Sequence, residues 1–239
     1  MKPKSDNLFH FTKSLDILKL ILLEGIKPRY CLEDFEWFFS DADDYAAYPM
    51  SCFCDIPLSR LSEHTNFYGS YGIGLTKKWG ITNKLNPVVY CPPGGHIQSL
   101  AKDLVDWKSE DKQKNEDASM HFFRLLSLIK PIVGRMVIAG KVIEKEFYQE
   151  NEWRFVPEVN KVLLGRREFE DKRDDANKNI EKYTLQFTPR DIRYILVPND
   201  SEIPALVDFI NGNLGQFPLN DLKILQSRII SLETLNTDL

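Results

Sequence analysis

The amino-acid sequence predicts an α+β fold, with mixed or antiparallel sheets flanked by helices. Short stretches rich in β-branched and aromatic residues outnumber the strand-helix-strand alternations that indicate a parallel sheet. Hydrophobic residues make up 43% and charged residues 28% of the 239 positions, which is typical of a globular protein. The length lies between those of one and two average domains. We therefore expect a single elaborated domain over residues 1–239, enlarged by charged insertions at 108–118 and 166–182.

The first predicted elements are a strand at residues 7–12 and a helix that follows it. Ser14 is placed as the N-cap, because apolar residues follow it at helical spacing. Gly25 ends the helix, since glycine readily takes the left-handed conformation of a C-terminal cap. The segment 31–48 mixes acidic and aromatic residues without a clear period, so we expect an irregular flap there.

Further strands and helices follow through the rest of the chain, separated by proline, glycine and polar residues. The predicted strands lie at 49–55, 71–76, 86–91, 131–142, 151–156, 183–187 and 194–197. The predicted helices lie at 58–67, 97–107, 121–129 and 202–210, and 222–232 is compatible with either type. The insertion at 108–118 has no apolar anchor, so we expect an exposed loop there. The charges of 166–182 nearly cancel, which favours a solvated hairpin or loop over a nucleic-acid-binding arm.

Charge and hydropathy exclude several classes of protein. The 31 lysines and arginines stand against 35 acidic residues, which leaves a net charge of −4. This balance argues against a broad phosphate-binding surface, so nucleic acid is expected only as a possible substrate held locally. The N-terminus lacks the apolar core of a signal peptide, and the apolar run 17–23 is too short to span a bilayer. We predict a cytoplasmic protein without membrane association.

Common catalytic and metal-binding motifs do not assign a function. The four cysteines have neither a disulfide-framework nor a zinc-ribbon spacing, so we expect reduced thiols and no metal, with metal binding as the alternative. Gly69, Gly72 and Gly74 fall in G-x-x-G-x-G order, which differs from the dinucleotide-binding fingerprint. The sequence also contains no P-loop, zinc-protease or serine-hydrolase motif.

Polar side chains at alternate positions of two apolar strands are the candidate functional groups. Period-two alternation places His10 and Thr12 on one face of the first strand, and Glu152 and Arg154 on one face of a later strand. Two such faces that meet in a cleft would make a site. Each group also has a structural explanation: a backbone carbonyl can satisfy His10, and Glu152 can pair with Arg154. Tyrosines 68 and 71 can be core residues whose hydroxyls reach water.

Several segments resemble those of known protein families. The start, Asn7-Leu8-Phe9-His10-Phe11-Thr12 and a helix ending at Gly25, resembles ADP-ribosyltransferase-like proteins. Further segments resemble the AbiGi family of bacterial abortive-infection proteins, at 50–59, 68–75, 86–90, 151–155 and 190–198. The AbiGi resemblance covers most of the chain and implies an antitoxin of a phage-defence system.

The ADP-ribosyltransferase resemblance implies a fold of that type and a site for NAD. His10 would hold the ribose of the adenosine half, with Thr12 beside it. Either Tyr68 or Tyr71 would stack on the nicotinamide, and the spacing does not decide between them. The implied catalytic set is Glu152, His10 and Tyr71.

The same resemblance makes Glu152 the catalytic glutamate. Breaking the nicotinamide glycosidic bond develops positive charge on the ribose, which a fixed carboxylate stabilises. Arg154 would either bind the pyrophosphate or hold Glu152 in place. Glu150 forms an E-x-E pair with Glu152, a spacing that in some transferases adds a second carboxylate to activate the acceptor.

The function predicted from these patterns belongs to one of two main classes. In the first, a defence protein transfers ADP-ribose from NAD to a host or phage macromolecule, or hydrolyses NAD. In the second, a non-catalytic antitoxin neutralises a cognate toxin through the acidic and aromatic segment 33–48. A sensor that binds a nucleotide without turnover is a third alternative.

Overall fold

The structure is a computed structural model that describes residues 5–38, 45–106, 112–138, 141–159 and 162–238. The chain divides into two compact units. Unit 1 comprises Met1–Lys27, Cys52–Leu85 and Thr184–Leu239, and unit 2 comprises Pro28–Ser51 and Asn86–Tyr183. The single-domain organisation stays a prediction.

The described residues form a mixture of strands and helices. The strands are β1 Asn7–Thr12, β2 Arg29–Asp34, β3 Tyr45–Cys54, β4 Tyr71–Thr76, β5 Asn86–Pro87, β6 Val89–Cys91, β7 Ile129–Pro131, β8 Val133–Ile138, β9 Lys141–Glu146, β10 Glu152–Phe155, β11 Leu163–Leu164, β12 Ile192–Val197 and β13 Ile229–Ser231. The helices are α1 Leu15–Glu24, α2 Leu61–Tyr68, α3 Lys77–Thr82, α4 His96–Asp106, α5 Lys112–Leu126, α6 Gly165–Ile180, α7 Ile203–Asn213, α8 Leu219–Gln226 and α9 Leu232–Asp238. Single turns of 3-10 helix cover Leu58–Arg60, Phe147–Glu150, Glu181–Tyr183 and Asp200–Glu202.

Unit 1 contains a mixed sheet in the order β13, β12, β4, β1 and the C-terminal end of β3. The pairing of β12 with β13 is parallel, while β12 with β4, β4 with β1 and β1 with β3 are antiparallel. A buried cluster packs against this sheet: Phe9, Cys54, Ile56, Leu61, Leu196 and Leu232. The expected combination of a mixed sheet and helices is confirmed. The finer ADP-ribosyltransferase-like fold stays a prediction.

Helix α1 begins and ends where the sequence predicts. The Ser14 hydroxyl accepts a hydrogen bond from the Ile17 backbone N–H at 3.3 Å, which satisfies one free donor of the first turn. Gly25 has a positive φ of 93° and donates its N–H to the Ile21 carbonyl at 2.9 Å. Both caps are confirmed because local hydrogen bonding alone determines them.

The G-x-x-G-x-G motif brings β4 close to β1. Gly69 has a φ of +111°, and a Cβ there would overlap the Thr12 carbonyl. A Cβ at Gly74 would lie 2.8 Å from Cε1 of Phe9, so only glycine leaves room for that ring. These glycines are explained by backbone approach and aromatic packing.

Unit 2 contains several short pairings. β2 and β11 pair antiparallel with β3, β5 pairs antiparallel with β10, β6 pairs parallel with β7, and β8 and β9 form an antiparallel hairpin. The irregular flap expected over 31–48 is therefore wrong for the residues that lie in β2 and β3. These strands are held by backbone pairing, although their side chains show no simple period. Residues 39–44 lie outside the described residues. The expectation of a single strand at 131–142 is also wrong, because this segment contains the hairpin of β8 and β9 instead. Residues 139–140 lie outside the described residues.

The charged insertion at 166–182 was expected to be a loop or hairpin, and this is wrong because most of it is helix α6. Two ion pairs at i,i+4 spacing support the helix, Arg166 with Glu170 at 3.0 Å and Lys172 with Glu168 at 2.8 Å. Such pairs contribute about 0.2–0.5 kcal/mol each. Near its C-terminal end, α6 also buries Ala176 and Ile180 against Tyr30, Ala47 and Leu163.

The loop expected at 108–118 is also wrong in part, since α5 already begins at Lys112. Residues 107–111 lie outside the described residues. The strand expected at 183–187 is wrong too, because only an isolated bridge joins Leu185 to Ile26. Within the described ranges, no helix has both the length and the apolar character needed to cross a bilayer.

Candidate functional site

In unit 1, His10 lies on β1 with its imidazole hydrogen-bonded to the backbone. Its Nδ1 is 2.9 Å from the carbonyl oxygen of Cys52, and its ring lies 5.4 Å from that of Phe53. A carbonyl can only accept, so Nδ1 carries the proton and Nε2 is the remaining acceptor. Burial lowers the pKa of His10 despite this backbone hydrogen bond, which favours the neutral ring near pH 7.

The register of β1 and β4 places Thr12 opposite Tyr71, so these residues share a sheet face with His10. The Tyr71 hydroxyl donates to Oε1 of Glu202 at 2.9 Å. Burial together with this carboxylate raises the pKa of Tyr71 to about 12. Tyr68 ends helix α2, and its ring lies 4.5 Å from that of His64. Both candidate aromatic residues are therefore already in contact with side chains of unit 1.

In unit 2, the carboxylate of Glu152 is buried and bound by two cations. Its Oε1 accepts from Nε of Arg154 at 2.8 Å. Its Oε2 accepts from Nζ of Lys130 at 2.9 Å and from Nη2 of Arg154 at 3.1 Å. Glu152 is 5% and Arg154 is 1% exposed, so these bonds form away from bulk water. Of the two contacts considered for Arg154, the structure contains the one that holds Glu152.

The pair of Glu152 and Arg154 belongs to a larger group of charges, here called the ionic cluster: Glu33, Lys130, Lys145, Glu150, Glu152 and Arg154. Arg154 also donates to Glu33 at 2.8 Å, and Glu150 pairs with Lys145 at 2.5 Å and with Lys130 at 3.5 Å. The acids and cations of the cluster balance in number. Because a buried charge is tolerated only with a partner, this balance allows the charges of the cluster to lie within unit 2.

The electrostatics of the ionic cluster keep its central groups charged. Burial alone would raise the pKa of Glu152, but Arg154 and Lys130 outweigh it and hold that pKa well below its ordinary value. Burial would likewise lower the pKa of Lys130, but Glu152, Glu33 and Glu150 raise it above its ordinary value. Glu152 is therefore fixed as a carboxylate that already accepts several strong hydrogen bonds.

Neighbouring strands position the cluster. The Glu152 backbone N–H donates to the Tyr90 hydroxyl at 2.8 Å, and the parallel pairing of β6 and β7 sets Tyr90 beside Lys130. Sequence reasoning missed Lys130, Lys145 and the role of Glu33. A signal for Lys130 was present, since it is a lone charge within the apolar segment 128–133.

The sequence-predicted site residues are divided between the units. His10, Thr12, Tyr68 and Tyr71 belong to unit 1, whereas Glu152 and Arg154 belong to unit 2. The structure brings together Thr12 with Tyr71 and Glu152 with Arg154. The assembly of all six residues into one NAD site stays a prediction, as does the absence of a metal.

The aromatic segment expected to form an interface lies mostly in the core. Phe35 is 2%, Phe38 is 4% and Tyr48 is 2% exposed. The indole Nε1 of Trp37 donates to the backbone carbonyl of Asp34 at 3.1 Å. The expectation that 33–48 anchors a partner is therefore wrong for Phe35, Phe38 and Tyr48, because their rings fill the interior of unit 2. Trp37 is half-buried, and its role in an interface stays a prediction.

Comparison with known proteins connects this structure to phage defence. Residues 24–198 match the family described as "Putative abortive phage resistance protein AbiGi, antitoxin". The chain belongs to the AbiGi family. An AbiGi relative from Lactococcus lactis subsp. cremoris, described as "Abortive phage resistance protein AbiGi", is 29% identical over 250 residues, which cover 88% of this chain and 98% of the relative. No solved structure matches the chain.

The AbiGi match confirms the expected family and its abortive phage resistance. The matched residues 24–198 contain the whole ionic cluster and both candidate tyrosines. They begin after His10 and Thr12, so these two residues lie outside the part of the chain that defines the AbiGi match.

Proposed function

We propose that this AbiGi protein is an antitoxin that binds and neutralises a protein toxin encoded by a neighbouring gene. The observation that carries the proposal is the exposed apolar face of helix α1. The description of the AbiGi family as an antitoxin supports the same class of function. The proposal requires a protein-binding surface and no catalytic step.

Helix α1 is apolar on both faces. Leu18, Ile21 and Leu22 are buried and face the sheet of unit 1. On the opposite side, Ile17 is 44%, Leu20 is 51% and Leu23 is 41% exposed, and they are here called the α1 face. A helix at the surface of a globular protein ordinarily places polar residues there. Contiguous exposed aliphatic side chains are typical of an interaction surface.

The charges beside the α1 face indicate the chemistry of the partner. Asp16 is exposed next to Ile17, and Glu24 is half-exposed next to Leu23 with a 2.7 Å ion pair to Lys27. Lys19 extends over the ring of Phe209, at 5.6 Å. A toxin surface with an apolar groove and charges of both signs around it therefore fits this face best.

ADP-ribose transfer from NAD, or its hydrolysis, is the competing function. It requires the Glu152 carboxylate to reach the ribose, whereas that carboxylate is bound by Arg154 and Lys130. Withdrawing it would leave two buried cations short of a partner, and breaking a buried ion pair in this way costs about 3–5 kcal/mol. The contacts of Glu152 thus favour a structural role.

The proposal is tested by calorimetric titration of the purified protein with the purified product of the neighbouring gene. We expect a stoichiometric complex, and we expect Leu20→Glu to weaken it by about 100-fold, as for a central interface residue. Ile81→Glu is the matched control, because Ile81 is 65% exposed on α3 and lies outside the α1 face. Both variants should keep the wild-type circular dichroism spectrum.

Two results would overturn the antitoxin proposal. One is the absence of a complex, or a complex that Leu20→Glu and Ile81→Glu weaken equally. The other is that the wild type releases nicotinamide from labelled NAD and that a folded Glu152→Gln variant does not. This result would support the enzymatic alternative.

A further inference from the structure

Unit 2 contains a cavity of about 260 Å³ that neither the ionic cluster nor the α1 face uses. Its walls come from β3, from the C-terminal half of α5 and from the segment that follows β10. Most of the lining is apolar: Pro49, Met120, Phe123, Val156, Pro157, Val159 and Val162. The volume approaches the lower limit of small-molecule sites, which are typically apolar with a few polar groups.

The first polar residue in the wall is Tyr48. Tyr48 is 2% exposed, and its hydroxyl has no hydrogen-bond partner within the part of the chain that the structure describes. The ring is held by packing against Phe35, with centroids 5.5 Å apart. A buried hydroxyl without a partner is costly, so a ligand atom that accepts its hydrogen bond would be favoured.

The second polar residue in the wall is Arg124. It pairs with Glu158 at 3.5 Å, and the Glu158 side chain is 78% exposed. An ion pair of this length at the surface contributes little to stability, so an anion in the cavity can compete for Arg124 at small cost. A guanidinium favours carboxylate ligands, because it can donate two parallel hydrogen bonds.

The wall next to Arg124 is rigid because the ionic cluster supports it. The Ser127 hydroxyl donates to the Arg124 carbonyl at 2.7 Å, and the Ser127 carbonyl accepts from Nη1 of Arg154 at 2.7 Å. Arg154 is 1% exposed and is held by Glu152. The cavity is therefore anchored to the most strongly bonded part of unit 2.

We propose that this cavity binds a small organic acid, with an aliphatic or aromatic body and a carboxylate. The body would contact the apolar wall, and the carboxylate would accept hydrogen bonds from Arg124 and Tyr48. This inference is independent of the proposed antitoxin function, because it uses no residue of the α1 face.

The test is calorimetric titration of the full chain with hexanoate and phenylacetate. The matched neutral probes are hexanol and 2-phenylethanol, and acetate supplies the charge without the apolar body. We expect saturable binding of the two larger acids at concentrations up to about 5 mM. The alcohols should bind at least about tenfold more weakly, since they lack the charge-assisted bond.

Variants locate the site. Arg124→Gln should weaken binding of hexanoate about tenfold while leaving hexanol unaffected, and Tyr48→Phe should weaken hexanoate about fivefold. Arg166→Gln is the control, because Arg166 is exposed on α6 and pairs with Glu170.

The proposal is overturned if neither acid saturates the protein by about 5 mM, if acids and alcohols bind equally, or if both cavity variants bind like the control. Melting curves confirm that each variant is folded.

Discussion

The polar residues of β1 in unit 1 and those of β10 in unit 2 arise from the same sequence pattern and have different partners. On β1, the half-buried imidazole of His10 makes a hydrogen bond to one backbone carbonyl, that of Cys52. On β10, Glu152 and Arg154 join a cluster of charges from several segments. One strand thus carries a neutral group with a single backbone partner, and the other carries ions whose burial depends on several charged partners.

The difference shows what period-two alternation can and cannot predict. Alternation assigns each side chain to a face of the strand. It does not identify the partners on that face: Lys130 is 22 residues from Glu152, and Glu33 is 121 residues from Arg154. If the comparison is correct, substitutions on β10 should be far more destabilising than those on β1.

The largest effect is expected from Arg154→Met. This change keeps the side-chain bulk and removes the cation that binds Glu152 and Glu33, so we expect a loss of about 3–5 kcal/mol in the free energy of unfolding. Urea denaturation monitored by circular dichroism measures it. Arg166→Met on α6 is the control, and its exposed ion pair should contribute under about 1 kcal/mol. Equal losses in the two variants would show that the ionic cluster contributes no more than a surface pair.

A smaller effect with a characteristic pH dependence is expected from Glu152→Gln. The glutamine amide oxygen still accepts one hydrogen bond from the cations, so the loss should be smaller than for complete withdrawal of the carboxylate. Hydrogen bonds to a charged group contribute about 1.5–3 kcal/mol, and most of this should be lost at pH 7. The folded pKa of Glu152 is lowered, so its contribution is present above the unfolded pKa of about 4.3 and declines as the pH falls below it.

Denaturation of the wild type and Glu152→Gln at several pH values measures this contribution. The two curves should converge as the pH falls below about 4.3. Glu158→Gln is the control, because that carboxylate is 78% exposed. A constant difference between wild type and Glu152→Gln from pH 7 to acid would contradict the assigned charge state.

Much of the fold could be predicted from the sequence where local chemistry determines it. The Ser14 cap, the Gly25 stop and strand β1 depend on neighbouring residues, and all are confirmed. Helix α6 was not predicted, because its apolar contacts are few and its charges are typical of solvated loops. Its i,i+4 ion pairs were the overlooked signal.

Less of the candidate site could be predicted. The face shared by Glu152 and Arg154 follows from alternation, whereas Lys145 and Glu33 reach it through tertiary contacts that no local pattern encodes. The lone charge of Lys130 within the apolar segment 128–133 was a signal, but it does not identify the partner. The aromatic residues of 33–48 show the converse error. Their composition suggested an interface, but Phe35 and Phe38 are buried because unit 2 needs large side chains in its core.

The smallest effect is expected from His10→Asn, which tests the β1 side of the comparison. The asparagine amide can replace the Nδ1–H donor, so the loss in the free energy of unfolding at pH 7.5 should stay below about 1 kcal/mol.

The folded pKa of His10 is lowered, so below about pH 6.5 the unfolded chain binds more protons and stability falls. The wild type should therefore lose up to about 1.4 kcal/mol between pH 7.5 and 5.5 that His10→Asn does not lose. Denaturation at both pH values measures this, with exposed His96→Asn as the control. An unchanged decline in His10→Asn would mean that another group titrates, and that β1 carries no neutral imidazole to contrast with the ions of β10.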